Sequence, residues 1–239
     1  RDPAGLPGEA PFTRGSEAAA NTAAAWDIRQ AFAHPDPVTT AREITEDLEG
    51  GATSVHLVVN MGGRGEGVHL PQPSALGSAL GDLDWSAIPL SLDGGGAALA
   101  LGRSALALGV TQGDLGVDPV GTLSREGALP TTLAAAHAEA AAMAASLGDK
   151  LPNLRVFSVD TRAWHLAGAT EDLDLGIALS TGAAALRALA AAGVDPATAS
   201  RRIGFRVALG CDFLLGICKL PALRATWGRL MAACGAPAG

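Results

Sequence analysis

Tyrosine is absent from this chain of 239 residues, and aromatic residues of all kinds make up only 4% of it. Any chemistry that depends on a phenol is thereby excluded. Charged residues are also scarce at 17%, and the formal net charge is -7 with the basic residues scattered along the chain. That balance argues against a nucleic-acid backbone or an anionic membrane surface as partner, because both require a concentrated basic stripe. The cysteines, Cys211, Cys218 and Cys234, form neither an even disulfide framework nor a Cys-x-x-Cys pair. A reducing, cytoplasmic setting is the simpler reading, with Cys211 and Cys218 seven residues apart on one helix face and packed. Apolar runs are broken by Gly, Pro or charge before the ~20 residues of a membrane span. The amino terminus, Arg1-Asp2-Pro3-Ala4-Gly5, lacks the apolar core of a signal peptide and starts without methionine, as a processed or excised fragment would. No His-x-x-x-His spacing joins His34, His56, His69 or His137, and Ser158 has no Gly-x-Ser-x-Gly setting.

What is present is a chain with 48% hydrophobic residues, enough for a sizeable core. Residues 1–25 are rich in Gly, Pro and Ala and read as an extended lead-in, with a short helix over 17–25. From residue 26 to 239 the pattern alternates as one domain. Strands are predicted at 53–59, 88–92, 114–117, 155–159 and 203–208, and helices at 39–49, 97–108, 131–147, 171–192 and 213–234. Strands alternating with helices of this length imply right-handed crossovers and a parallel sheet. The run Asn60-Met61-Gly62-Gly63-Arg64-Gly65-Glu66-Gly67 follows the first strand but is out of register for a dinucleotide fingerprint and opens no helix, so it reads as a surface loop. The expected fold is therefore α/β, a TIM-barrel-like (β/α) barrel with about five of its eight units recognisable and incomplete at the carboxyl end. An unclosed barrel leaves sheet edges that something must cover.

Several segments then bear on chemistry. Trp26-Asp27-Ile28-Arg29-Gln30-Ala31 is similar to the Arg-Pro-Trp-Thr-Ile-Arg-Gln-Tyr stretch of the coenzyme-B12-dependent acyl-CoA mutases, in particular the methylmalonyl-CoA mutase family. The segment Ser158 to Ala169 resembles that family's Ser-Gly-Tyr-His-Met-Gln-Glu-Ala-Gly-Ala, keeping Ala167-Gly168-Ala169. Phe213 to Lys219 and Leu223-Arg224-Ala225-Thr226-Trp227 resemble a later family helix, and Leu115-Gly116-Val117-Asp118-Pro119-Val120-Gly121 is similar to Leu-Gly-x-Asp-Pro-x-Gly of the family's small subunit. The resemblance implies that Ala24 replaces an arginine that grips CoA, Ala31 a radical-controlling tyrosine, and Arg162-Ala163 the Tyr-His pair beside the substrate. It further implies a non-catalytic small-subunit-like chain paired with a catalytic large subunit in a heterodimer. No Asp-x-His-x-x-Gly string occurs, so adenosylcobalamin is expected on the partner chain and no cofactor on this one.

A second reading comes from the residues themselves. Asp93, Asp118 and Asp160 each follow a predicted strand, and the carboxyl ends of barrel strands are where active sites form. Together they would suit a metal-assisted acid and base set; the plainer alternative is that each caps the turn that opens its loop. His165 reads as a packed or surface histidine. Lys219 either reaches a carboxylate beneath the barrel or joins Arg224 and Arg229 on a solvated face, and Trp164 and Trp227 read as core or interface anchors.

Overall fold

In the computed structural model, which describes residues 5–15, 27–62 and 66–236, strands and helices alternate as the periodicity implies. The strands are β1 (Arg29–Phe32), β2 (Ser54–Asn60), β3 (Val68–His69), β4 (Leu90–Asp93), β5 (Gly113–Val117), β6 (Leu154–Asp160) and β7 (Ile203–Arg206). They form one sheet in the order β1-β2-β4-β5-β6-β7, with β3 paired to β2, and the ladders of β1 through β6 are parallel. Apart from β3 the spatial order follows the sequence without the reversal that defines a doubly wound sheet. This is the winding of a barrel, and among the described residues it is open: β1 and β7 end the sheet.

The helices are α1 (Pro37–Glu49), α2 (Gly77–Leu80), α3 (Ala98–Ala107), α4 (Pro119–Glu126), α5 (Leu133–Leu147), α6 (Arg162–Leu166), α7 (Glu171–Ala191), α8 (Pro196–Arg201) and α9 (Phe213–Ala233). Local chemistry sets their starts. Asp36 accepts from the Thr39 amide at 2.8 Å with Pro37 in the first turn, Thr132 accepts from Ala135, and Asp212 accepts from Leu215. β1 and the short α2, α4, α6 and α8 went unread in the sequence. β1 exposes its first three residues and so shows no alternation, and the short helices span too few turns for a periodic signal.

The chain divides into two compact units. One comprises Asp27–Ser158 with Arg201–Gly204. Its core is the sheet interior, where Val55, Leu57, Leu90, Leu92, Leu115, Leu154 and Val156 are all fully buried. Arg202 is buried too. Its guanidinium donates to the carbonyls of Leu151 (2.5 Å), Leu154 (2.6 Å) and Gly148, tying the end of α5 to the entry of β6. The other unit contains Val159–Ser200 and the chain from Phe205 onward, with described residues of 5–15. Within it Trp227 packs edge-on to Phe205 at 4.8 Å, and a Cβ on Gly182 would stand 2.8 Å from the Trp227 ring. Helix α7 is long and apolar enough to cross a membrane by length and composition, but its first turn carries Glu171, Asp172 and Asp174, and Asp174 is buried by protein. Cys211, Cys218 and Cys234 are exposed, which corrects the expectation that the first two are packed: the buried residues of α9 are Lys219, Leu223 and Met231 instead.

Candidate functional site

The segment Leu115 to Gly121 shows why its residue types stand together. Gly116 has φ +72°, and a Cβ there would lie 2.1 Å from the Leu92 carbonyl oxygen. Only glycine allows β5 to shift register against β6 between Asp114 and Val117. Asp118 ends the strand and accepts from the Gly121 amide at 2.9 Å as N-cap of α4, Pro119 opens the helix, and a Cβ on Gly121 would meet the Asp118 carboxylate at 2.0 Å. The motif is a strand-to-helix device.

Asp93 and Asp160 are likewise committed locally. Arg125 of α4 approaches Asp93 at 3.7 Å. Asp160, with its side chain 3% exposed, accepts from Arg162 through Nε (2.9 and 3.0 Å), through Nη2 (2.5 Å) and through the backbone amide (3.0 Å). Burial pushes the Asp160 carboxyl up, yet the hydrogen bonds and charge of Arg162, aided by Arg206, outweigh it and hold the group below the usual aspartate value. Among the described residues, the group of His, Cys, Asp and Glu close enough to share a metal ion is His165, Glu171 and Asp174; it contains none of Asp93, Asp118 and Asp160.

Of the residues that the resemblance sets against the family's reactive groups, Ala31 lies exposed on β1 and Arg162 and Ala163 open α6, half-buried. Arg162 is clamped to its own Asp160 and offers neither a phenol nor an imidazole. Ala24 and Trp26, with the expected helix over 17–25, lie outside the described residues, as do residues 63–65 of the glycine-rich loop.

The grouping that pattern reading missed sits on α6, α7 and α9. Lys219, with no exposed side-chain surface, forms ion pairs with Glu171 at 2.5 Å and with fully buried Asp174, and donates to the Ala208 carbonyl at 2.8 Å. The Glu171 oxygen is near enough for an ion pair but is not aligned as a hydrogen-bond acceptor. Asp174 Oδ1 and His165 Nδ1 are buried without a hydrogen-bond partner. Burial pushes the Lys219 ammonium down in pKa, and the carboxylates of Asp174 and Glu171 more than reverse this, holding it above the ordinary lysine value. The Lys219 ammonium thus already answers two of the three groups, Glu171 and Asp174, that could share a metal ion. The one legible hint was a lysine among apolar neighbours, of the two readings for which the buried pair is the one found.

A family model described as methylmalonyl-CoA mutase matches residues 1–238. The chain is 38% identical to the methylmalonyl-CoA mutase small subunit of Streptomyces virginiae over 98% of its own length and 34% identical to that of Propionibacterium freudenreichii subsp. shermanii over 95%. It spans 38% and 35% of those relatives' lengths, little more than a third. A shorter match, 37% identical over 84 residues, covers 34% of this chain and 11% of the methylmalonyl-CoA mutase large subunit of Streptomyces virginiae. With its sequential parallel α/β sheet and a match that runs from residue 1 to 238, the chain belongs to the methylmalonyl-CoA mutase family.

Proposed function

We propose that this chain serves as a small-subunit-like component of a methylmalonyl-CoA mutase. It supports a catalytic large chain in the adenosylcobalamin-dependent interconversion of methylmalonyl-CoA and succinyl-CoA, in the cytoplasm, and has no catalysis of its own. The observation that carries the reading is the match, over nearly all of this chain's own length, to chains named as small subunits, and the expectation that Ala31, Arg162 and Ala163 replace the family's reactive groups is in keeping with it. An exposed apolar stretch, Phe213, Leu214, Leu215 and Ile217 at the start of α9, supports a protein partner. The residues present do not fit cobalamin. His165 has its Nδ1 buried, and one of its ring nitrogens lies within 4.8 Å of carboxylate oxygens of Glu171 and Asp174, whereas a cobalt ligand needs an imidazole free to face a planar ring. We therefore place the cofactor on the large chain.

Two measurements test this. Co-expression with a large subunit should yield a stable complex on size exclusion, and the isolated chain supplied with adenosylcobalamin and methylmalonyl-CoA should show no turnover. Succinyl-CoA formation by the chain alone overturns the non-catalytic role, and failure to co-purify overturns the partner.

The alternative, a metal-assisted enzyme built on Asp93, Asp118 and Asp160, draws its support from their placement at strand ends. Calorimetric titration with Mg2+ that shows saturable binding lost in Asp118→Asn would favour it.

A further inference from the structure

Between α6 and α7 the chain turns through Gly168 at φ +95°, which sets His165, in the last turn of α6, beside Glu171 and Asp174 in the first turn of α7. Glu171 and Asp174 are three residues apart and so share a helix face. One ligand atom from each of the three side chains lies within 4.8 Å of the others. The Lys219 ammonium engages one oxygen of each carboxylate, Glu171 Oε2 at 2.5 Å and Asp174 Oδ2. Two carboxylates against one ammonium leave one negative charge unanswered. Left over are Asp174 Oδ1 and His165 Nδ1, both buried without a hydrogen-bond partner. We propose that His165, Glu171 and Asp174 form a binding site for a divalent transition-metal ion of the zinc class, with Lys219 as the counter-charge that holds the carboxylates in place.

Buried polar atoms are nearly always paired, and an ion or a water beside them is the usual reason that an orphan such as Asp174 Oδ1 persists. The surplus negative charge, on a fully buried Asp174 and a largely buried Glu171, favours the ion. An imidazole nitrogen with two carboxylates suits zinc and its neighbours in the first transition row, whereas Mg2+ and Ca2+ are held by oxygen ligands. The site also has an entrance. A Cβ on Gly210 would stand 3.8 Å from both Glu171 Oε1 and His165 Cε1, and Gly210 itself is exposed, so the glycine leaves the approach to these two side chains open. A tetrahedral ion with bonds of ~2.0–2.2 Å holds its ligand atoms about 3.5 Å apart, so the group has to close by roughly 1 Å. His165 and Glu171, only partly buried, make that adjustment by side-chain rotation while Lys219 keeps Asp174 pinned. With three protein ligands, the fourth position of such an ion is left to water.

Isothermal titration with ZnCl2 tests the site. The 239-residue chain is used without an affinity tag and with Cys211→Ser, Cys218→Ser and Cys234→Ser in place, because exposed thiols themselves ligate zinc. The expected result is saturable one-to-one binding in excess Mg2+ that weakens roughly tenfold or more in His165→Ala and in Glu171→Gln, with melting temperatures close to that of the cysteine-free chain. Co2+ in place of Zn2+ should give visible d–d absorption at the same stoichiometry, lost in the same variants. No saturable Zn2+ binding to the folded cysteine-free chain, or equal affinity in both variants, overturns the site and assigns Asp174 Oδ1 and His165 Nδ1 to water. Should His165→Ala fail to fold, Glu171→Gln carries the comparison.

Discussion

At the scale of single residues, the strongest commitments are charges taken out of water. Lys219 is enclosed with Asp174, and removing one member of such a pair leaves an uncompensated buried charge. Lys219→Met should lower the stability of the chain by about 3–5 kcal/mol in urea denaturation, and Lys219→Met with Asp174→Leu should recover most of the loss. A cost below ~1 kcal/mol in the single variant would show that the pair is no anchor. The pKa of Lys219 is raised in the folded state, so its contribution is fully present below the unfolded lysine value near ~10.4 and fades as pH rises through the higher folded value. Asp160 works in the opposite direction. Its folded pKa is lowered, so its contribution is present above ~3.9 and is lost as pH falls through the folded value. In Asp160→Asn, stability measured by urea midpoint should therefore fall less steeply below pH ~4 than in the parent; equal slopes would remove Asp160 from the account.

At the scale of elements, β5 is the strand whose sequence and geometry explain one another most fully. Gly113 has φ +118°, Gly116 has φ +72°, and a Cβ on either would collide with a carbonyl of β4. Gly116→Ala should cost on the order of 2–3 kcal/mol or more, read by chemical denaturation, because it combines a left-handed backbone with a clash against Leu92 that cannot move without breaking the sheet. A loss under ~0.5 kcal/mol would mean the bulge can be redrawn around a side chain. The longer helices and the strands β2, β4, β5, β6 and β7 were legible because apolar runs such as Val55 to Val59, alternating with segments of helix length, are local signals. β1 was not. Its exposed Arg29, Gln30 and Ala31 carry no inward face, and only pairing with Ser54, Val55 and His56 makes it a strand. Lys219 was half legible. A lone lysine in an apolar helix allows either a buried pair or a solvated face, and only the packing of α7 beside α9 decides between them.

For the molecule as a whole, the unusual property is what it leaves uncovered. Leu166 is 84% exposed, Phe213 77% and Leu214 72%. Phe213 and Leu214, adjacent at the start of α9, form the kind of surface that binds hydrophobic dyes and protein partners. Phe213→Ser with Leu214→Ser should reduce fluorescence of bound anilinonaphthalene sulfonate by the isolated chain without lowering its melting temperature. Unchanged dye binding would place the sticky surface elsewhere. The open sheet, with β1 and β7 at its ends among the described residues, adds unpaired backbone groups to that uncovered surface.

The sequence by itself determined the parallel α/β winding, the positions of most long elements and the family. Those follow from periodicity, turn residues and motif order, which are properties of neighbours along the chain. Tertiary structure alone decided where the charges go. Glu171, Asp174, Ala208 and Lys219 meet across a separation of up to 48 in chain numbering, from 171 to 219, and a cavity lined by Arg29, Arg155 and Arg201 joins residues from 29 to 201. Such groupings have no period and no spacing rule. They arise because a parallel sheet brings the same ends of distant strands side by side, and because a buried charge must find its partner wherever the packed helices place one.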